Sequence, residues 1–183
     1  VRELTLQHGF SDSVVAAAIE VNADDIHLED LIFQYNIGGF GTGVGMVAHG
    51  NLTLYNSTFQ FQSGGGASGV YLAQGIHGVV IDGCTFDQNS ADFAAILQAA
   101  YHDNIGEYSV IVRNSTITNN SSSGVVTSKG DWRMENTTIS GNVSIRSGYA
   151  GGLHCTQAFY MQGNTISGNS PSDVSPSLAD CTK

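Results

Sequence analysis

Charge is what this chain has least of. Only 12% of its 183 residues are charged, and 16 acids against 6 bases leave a net charge of −10. An acidic surface is repelled by nucleic acid and by anionic lipid, so neither is expected as a partner. Proline is nearly absent, at Pro171 and Pro176 alone. No apolar run approaches the ~18–20 residues of a membrane-spanning helix, so no membrane insertion is expected. Disorder is excluded as well, because apolar residues are scattered throughout and charge is low. There is no start methionine and no signal peptide, which reads as a processed or truncated piece. What is abundant is glycine, at 23 residues, together with Ser and Asn, and the length suits one all-β domain with a core.

One block recurs seven times. It reads Val1-RELTLQHG, Ile26-HLEDLIFQYN, Leu52-TLYNSTFQFQ, Val79-VIDGCTFDQN, Val110-IVRNSTITNN, Trp132-RMENTTISGN and Phe159-YMQGNTISGN. Each copy holds alternating apolar positions, a polar turn, a large apolar anchor, and Asn or a substitute three places later. The anchors are Leu6, Phe33, Phe59, Phe86, Ile117, Ile139 and Ile166, spaced 27, 26, 27, 31, 22 and 27 residues apart. A shorter repeat of a small residue followed by an apolar one lies between the blocks: Ala18-Ile19, Gly45-Met46, Gly69-Val70, Ala95-Ile96, Gly124-Val125 and Gly152-Leu153. Alternation over three to five residues bounded by Gly, Asn and Ser predicts short strands. Strands at a near-fixed period predict a solenoid, in which stacked turns bury together what one turn cannot bury alone. The expected fold is an all-β, single-stranded right-handed parallel β-helix of about six to seven coils over residues 1–169. Residues 170–183 are read as a Ser/Pro-containing C-terminal tail that caps it. A β-sandwich is the rival, but it would not predict one column at a near-fixed period.

The strings Ala16-AAI, Phe93-AAI and Ala150-GGL, with Phe33-QYN, Phe86-DQN and Ile139-SGN, resemble the G-G-x-I and F-x-x-N repeats of the polymorphic outer-membrane protein type, within the pectin-lyase-like superfamily. The resemblance covers about residues 1–169. It implies a fold and an extracellular address, and no activity.

Two asparagine columns separate on this register. Three places after the anchor stand Gly9, Asn36, Gln62, Asn89, Asn120, Asn142 and Asn169. Asn occurs there with or without an N-x-S/T sequon, so Asn36, Asn89, Asn120, Asn142 and Asn169 are read as a ladder. Asn is expected there because it tolerates the left-handed backbone of a tight turn and because stacked amides bond along the column. Three places before the anchor, every Asn begins a sequon: Asn56, Asn114 and Asn136. These three, with Asn51 close behind, are the expected glycosylation sites on an exposed corner. Asn119, Asn120 and Asn142 complete the set of sequons.

Of the three cysteines, Cys84 falls in a column otherwise filled by Ser57, Ser115, Thr137 and Thr165 and reads as a free core thiol. A disulfide between Cys155 and Cys181 would pin the tail over the last coil; unpaired thiols are the alternative. The dispersed histidines make no H-x-x-x-H or H-x-H pair, and no cofactor or metal site is implied. Acids pair at Asp24-Asp25 and Glu29-Asp30, and Asp82 and Asp87 share a coil. Glu29 and Asp82 lie in one column with Tyr55 between them and Arg113 and Glu135 beyond. That is a solvated stripe rather than the convergent carboxylates a lyase or hydrolase needs, and no catalytic residue is assigned. The 31-residue coil carries an insertion at Gln98–Tyr108, a candidate binding loop. Tyr55, Phe61, Tyr71, Tyr101 and Tyr149 are candidates for a sugar-stacking patch, with Phe61 equally placed in the core.

The chain is therefore expected to be a non-enzymatic extracellular structural protein, a glycosylated subunit of a surface filament, appendage or wall layer. Its partners would be covalent N-glycans and copies of itself stacked head to tail, since it begins inside a repeat with strand edges unpaired. The alternatives are a polysaccharide lyase or hydrolase and an adhesin passenger, both of which would bring a polysaccharide or matrix partner.

Overall fold

A computed structural model describes residues 1–11, 17–21, 25–39, 41–46, 50–72, 76–98, 109–127, 131–156, 159–177 and 181–182. The chain winds as a parallel β-helix with three faces, and all the strand pairs are parallel. The anchor face holds seven strands: Thr5–Gln7, Ile32–Gln34, Thr58–Gln60, Thr85–Asp87, Thr116–Thr118, Thr138–Ser140 and Thr165–Ser167. The long-strand face holds six, Asp25–Glu29, Gly50–Tyr55, Ile76–Asp82, Ser109–Arg113, Asp131–Glu135 and Tyr160–Gln162. The small-residue face runs from Ile19–Val21 through Val44–Met46, Ala67–Leu72, Ser90–Gln98, Ser121–Val126 and Leu153–His154 to Val174–Ser175, with Ile37–Gly38 and Ser63–Gly64 at its side.

Among the described residues five turns carry a strand of at least five residues on the long-strand face together with strands on the other two, those beginning at Asp25, Gly50, Ile76, Ser109 and Asp131. Before them, among the described residues, the long-strand face is represented only by the Arg2–Glu29 bridge, and after them comes a turn of two- and three-residue strands. The count is thus slightly below the expected six to seven. Residues beyond 169 take part in the same ladders: Ser170 bridges Val143, Val174–Ser175 pairs with Leu153–His154, and Thr182 bridges Phe159.

Register turns each sequence column into a physical one. Leu6, Phe33, Phe59, Phe86, Ile117, Ile139 and Ile166 stand directly over one another. Phe33, Phe59 and Phe86 stack ring on ring, with centroids 4.4 and 4.7 Å apart and planes within 6°. Two further columns, from Leu28 and Leu54 to Met134 and from Leu52 and Val79 to Trp132, complete the core from the long-strand face.

The two repeats of the sequence turn out to be one packing device. A Cβ at Gly43 would lie 2.6 Å from the Phe59 ring, one at Gly69 2.5 Å from Phe86, and one at Gly124 2.7 Å from Ile139. The small residue of the short repeat lets the anchor lie flat against the opposite backbone. In the turn that begins at Asp25 the register differs from the expected one: Val44, not Met46, stands between Ile19 and Val70. The small–apolar pair of that turn is Gly43-Val44, and Gly45 stands between Glu20 and Tyr71.

Corners on either side of the anchor face each turn on a single left-handed residue. One corner is Glu3, Asp30, Asn56, Gly83, Asn114, Asn136 and Gly163, the other His8, Tyr35, Phe61, Gln88, Asn119, Gly141 and Gly168, all with φ between 46° and 68°. This corrects the reason given above for the asparagine ladder: the left-handed residue is the one before it. The ladder asparagines are there for their side chains.

Candidate functional site

The ladder begins from a geometric coincidence. A side chain just past the left-handed corner points inward, level with the backbone of the preceding turn, where a two-carbon amide can replace the bonds that the corner breaks. Asn36, Asn89, Asn120 and Asn142 are at most 1% exposed. The Oδ1 atoms of Asn89, Asn120, Asn142 and Asn169 accept the backbone N–H of the column residue one turn back, at 2.9–3.0 Å. Their Nδ2 atoms donate to the anchor carbonyl of that turn (Phe59, Phe86, Ile117 and Ile139), and each also donates to the next acceptor along the row. Asn169 finds that acceptor in Asp173, whose Oδ1 also takes the Asn169 N–H and so closes the row.

Gln62 interrupts it. Its extra methylene carries the amide past both targets, and Nε2 and Oε1 are buried without a partner. Gln62→Asn should therefore raise stability by about 2 kcal/mol, the usual cost of orphaned buried polar atoms. An unchanged or lower urea midpoint would show that the amide is satisfied some other way.

The outer corner is a different environment. Asn56, Asn114 and Asn136 are exposed, as are Asn51 and Asn119. Asn51, Asn56, Asn114 and Asn119 each donate one Nδ2 hydrogen to an aspartate of the preceding turn, Asp25, Asp30, Asp82 and Asp87. Burial works to raise the Asp87 carboxyl, but hydrogen bonds from Gln88, Asn119 and Thr118 outweigh it and hold the group below its ordinary range.

The charged stripe has the expected order: Glu29, Tyr55, Asp82, Arg113, Glu135 and Gln162 follow one another in register. Its members pair off as Arg2–Glu29, Arg113–Asp82 and Arg133–Glu135. Among the described residues no group of three or more His, Cys, Asp or Glu is placed to hold a metal ion. Asp24 and the insertion residues Tyr101, His102, Asp103 and Glu107 lie outside the described residues.

Cys84 is buried and free, and burial pushes its thiol up to about 12. Its column continues to Asn164 rather than Thr165: Thr137 N–H donates to Asn164 Oδ1, while Thr165 pairs with Thr138 on the anchor face. Since the thiolate is the nucleophile, Cys84 should resist iodoacetamide at neutral pH until the chain unfolds. Rapid labelling of the folded protein would contradict the burial. Cys155 and Cys181 form a disulfide closing a 26-residue separation. Its removal in Cys155→Ala/Cys181→Ala should cost about 3 kcal/mol by relaxing the unfolded chain, and a melting temperature equal to the parent's would count against it.

The aromatic candidates do not assemble into one patch. Phe61 is 39% exposed rather than in the core, and it stacks on Tyr35, which stacks on His8, at 5.1 and 5.6 Å. The rings cover one another and present edges to solvent. Tyr55 lies on the long-strand face. Tyr71 and Tyr149 pack with Phe93 over a second apolar cluster outside the solenoid, where the Arg146 guanidinium sits 3.8 Å from the Phe93 ring. Phe93 and Ala94 belong to the short repeat, but their partners Tyr149 and Arg146 stand at no recurring offset, so the repeat pattern does not signal the cluster.

The family model for right-handed β-helix regions matches residues 10–173. The chain belongs to the right-handed β-helix family. Right-handed winding accords with the strong preference of parallel crossover connections for that hand. No curated protein and no solved structure matches this β-helix.

Proposed function

We propose that this right-handed β-helix is a non-enzymatic, extracellular and glycosylated structural module, a rod that builds a surface filament, appendage or wall layer by stacking head to tail with copies of itself. The observation that carries the reading is the axial order of the polar groups. The ladder amides bond along the rod, and the charged residues of the long-strand face pair off locally instead of converging on a substrate-sized site. Parallel ladders are polar, so one end of a turn complements the other and not itself. Contacts of that heterologous kind extend rather than close. The disulfide supports an oxidising address, as does the likeness of the repeats to those of surface proteins.

The exposed His8–Tyr35–Phe61 row favours one alternative, an adhesin passenger in which the rod is a spacer and this corner meets a partner. Negative-stain electron microscopy across a concentration series separates the two. The building-block reading expects fibres of rod-like units whose length grows with concentration. Rods that stay single at every concentration, or cleavage of polyuronide by the purified protein, would overturn it.

A further inference from the structure

Seven asparagines begin N-x-S/T sequons, and the structure divides them by a count of hydrogens. N-linked glycosylation joins sugar C1 to the Asn Nδ2 of the nascent chain. The C1–O bond to the pyrophosphate of a lipid-linked oligosaccharide breaks, and one amide proton leaves with that pyrophosphate. The modified nitrogen keeps a single hydrogen, so a site compatible with the fold spends at most one Nδ2 hydrogen and faces solvent.

Asn120 spends both, on the Phe86 carbonyl and on Asn142 Oδ1, and Asn142 spends both on the Ile117 carbonyl and Asn169 Oδ1. Both side chains are buried. On the corner, Asn56 and Asn114 spend one each, on Asp30 and Asp82, and Asn136 Nδ2 spends none among the described residues. A glycosylated amide there keeps its aspartate. The neighbouring corner position Gly83 carries no side chain, which leaves room beside Asn56, whereas the space over Gly163 is taken by the Asn136 Oδ1 itself. The sequon itself arises where two structural columns meet, the left-handed corner that favours Asn and the outward threonines Thr58, Thr116 and Thr138 of the anchor face.

Resting on the extracellular reading above, we infer that N-linked oligosaccharides line one edge of the rod at Asn56, Asn114 and Asn136, while the sequons at Asn120 and Asn142 stay bare because a sugar there would break the ladder. Asn51 and Asn119, with one Nδ2 bond each, are competent as well.

The test is secretion of the whole chain from a eukaryotic host behind a cleavable leader, selection of protease-resistant folded material, and enzymatic release of glycans in heavy-oxygen water. Each occupied asparagine becomes a labelled aspartate. Label is expected at Asn56, Asn114 and Asn136 and none at Asn120 or Asn142. The single variants Asn56→Gln, Asn114→Gln and Asn136→Gln should each lose one glycan and still fold, since Glu3 and Gln88 hold the same corner conformation. Unlabelled corner residues, or label at Asn120 or Asn142 in folded material, would overturn the inference. The rod reading fails separately, if enzymatically deglycosylated protein forms no fibres.

Discussion

Asn120→Ala should lower stability by roughly 4 kcal/mol, because it strips acceptor and donor from two buried backbone groups at once. The Asn89 N–H loses Oδ1 and the Phe86 carbonyl loses Nδ2, with no water at hand to replace either. For a chain of this size the melting temperature should fall by on the order of 10 °C. Asn120→Asp sharpens the test. It restores the acceptor for the Asn89 N–H but sets a carboxylate against the Phe86 carbonyl and Asn142 Oδ1, and the protonated acid regains a single donor, enough for one of those two oxygens. The folded state would hold that acid above its ordinary pKa, and stability would be lost as pH rises through the raised value. Urea midpoints across acid and neutral pH measure this. An alanine variant within about 1 kcal/mol of the parent would reduce the ladder to decoration.

Phe59→Ala should cost about 3–5 kcal/mol, the range for deleting a buried ring. Phe59 is fully buried between Phe33 and Phe86, and its ring also lies on the backbone at Gly43. Collapse around the vacancy is limited because strands above and below fix the spacing of the turns. Phe59→Ile is the control. Ile117, Ile139 and Ile166 fill the same column in later turns, so this change should cost under about 2 kcal/mol. Equal losses for both variants would mean that the stack of rings, rather than the filling of space, supplies the stability.

The fold was legible because a β-helix repeats its instructions. The anchor column and the asparagine column each recur at one offset, and a repeated offset survives an error in any single copy. Where a turn departed from the pattern, reading failed locally. Gly45-Met46 and Gly43-Val44 are both small–apolar pairs, and only strand register distinguishes them. Asn164 and Thr165 are likewise told apart only by register. The contact of Phe93 with Tyr149 and Arg146 is not legible, since the two partners recur at no fixed offset and leave no period. The sequons carried an ambiguity of another kind. Exposed Asn136 and buried Asn142 have the same local signature, and only their places three residues before and three after the anchor Ile139 tell them apart in the sequence.

Because strands lie across the rod, the hydrogen bonds between turns run along its axis. A pull on the two ends therefore loads these bonds in series, and each turn bears the whole tension. Such a rod would yield by peeling, one turn at a time from whichever end is weaker, and not by a single rupture. The Cys155–Cys181 link ties the last turn to the one before it with a covalent bond. Tension entering on that side crosses to Cys155 through the covalent bond, so the turn it closes cannot peel away and the first bonds to yield there lie deeper in the rod.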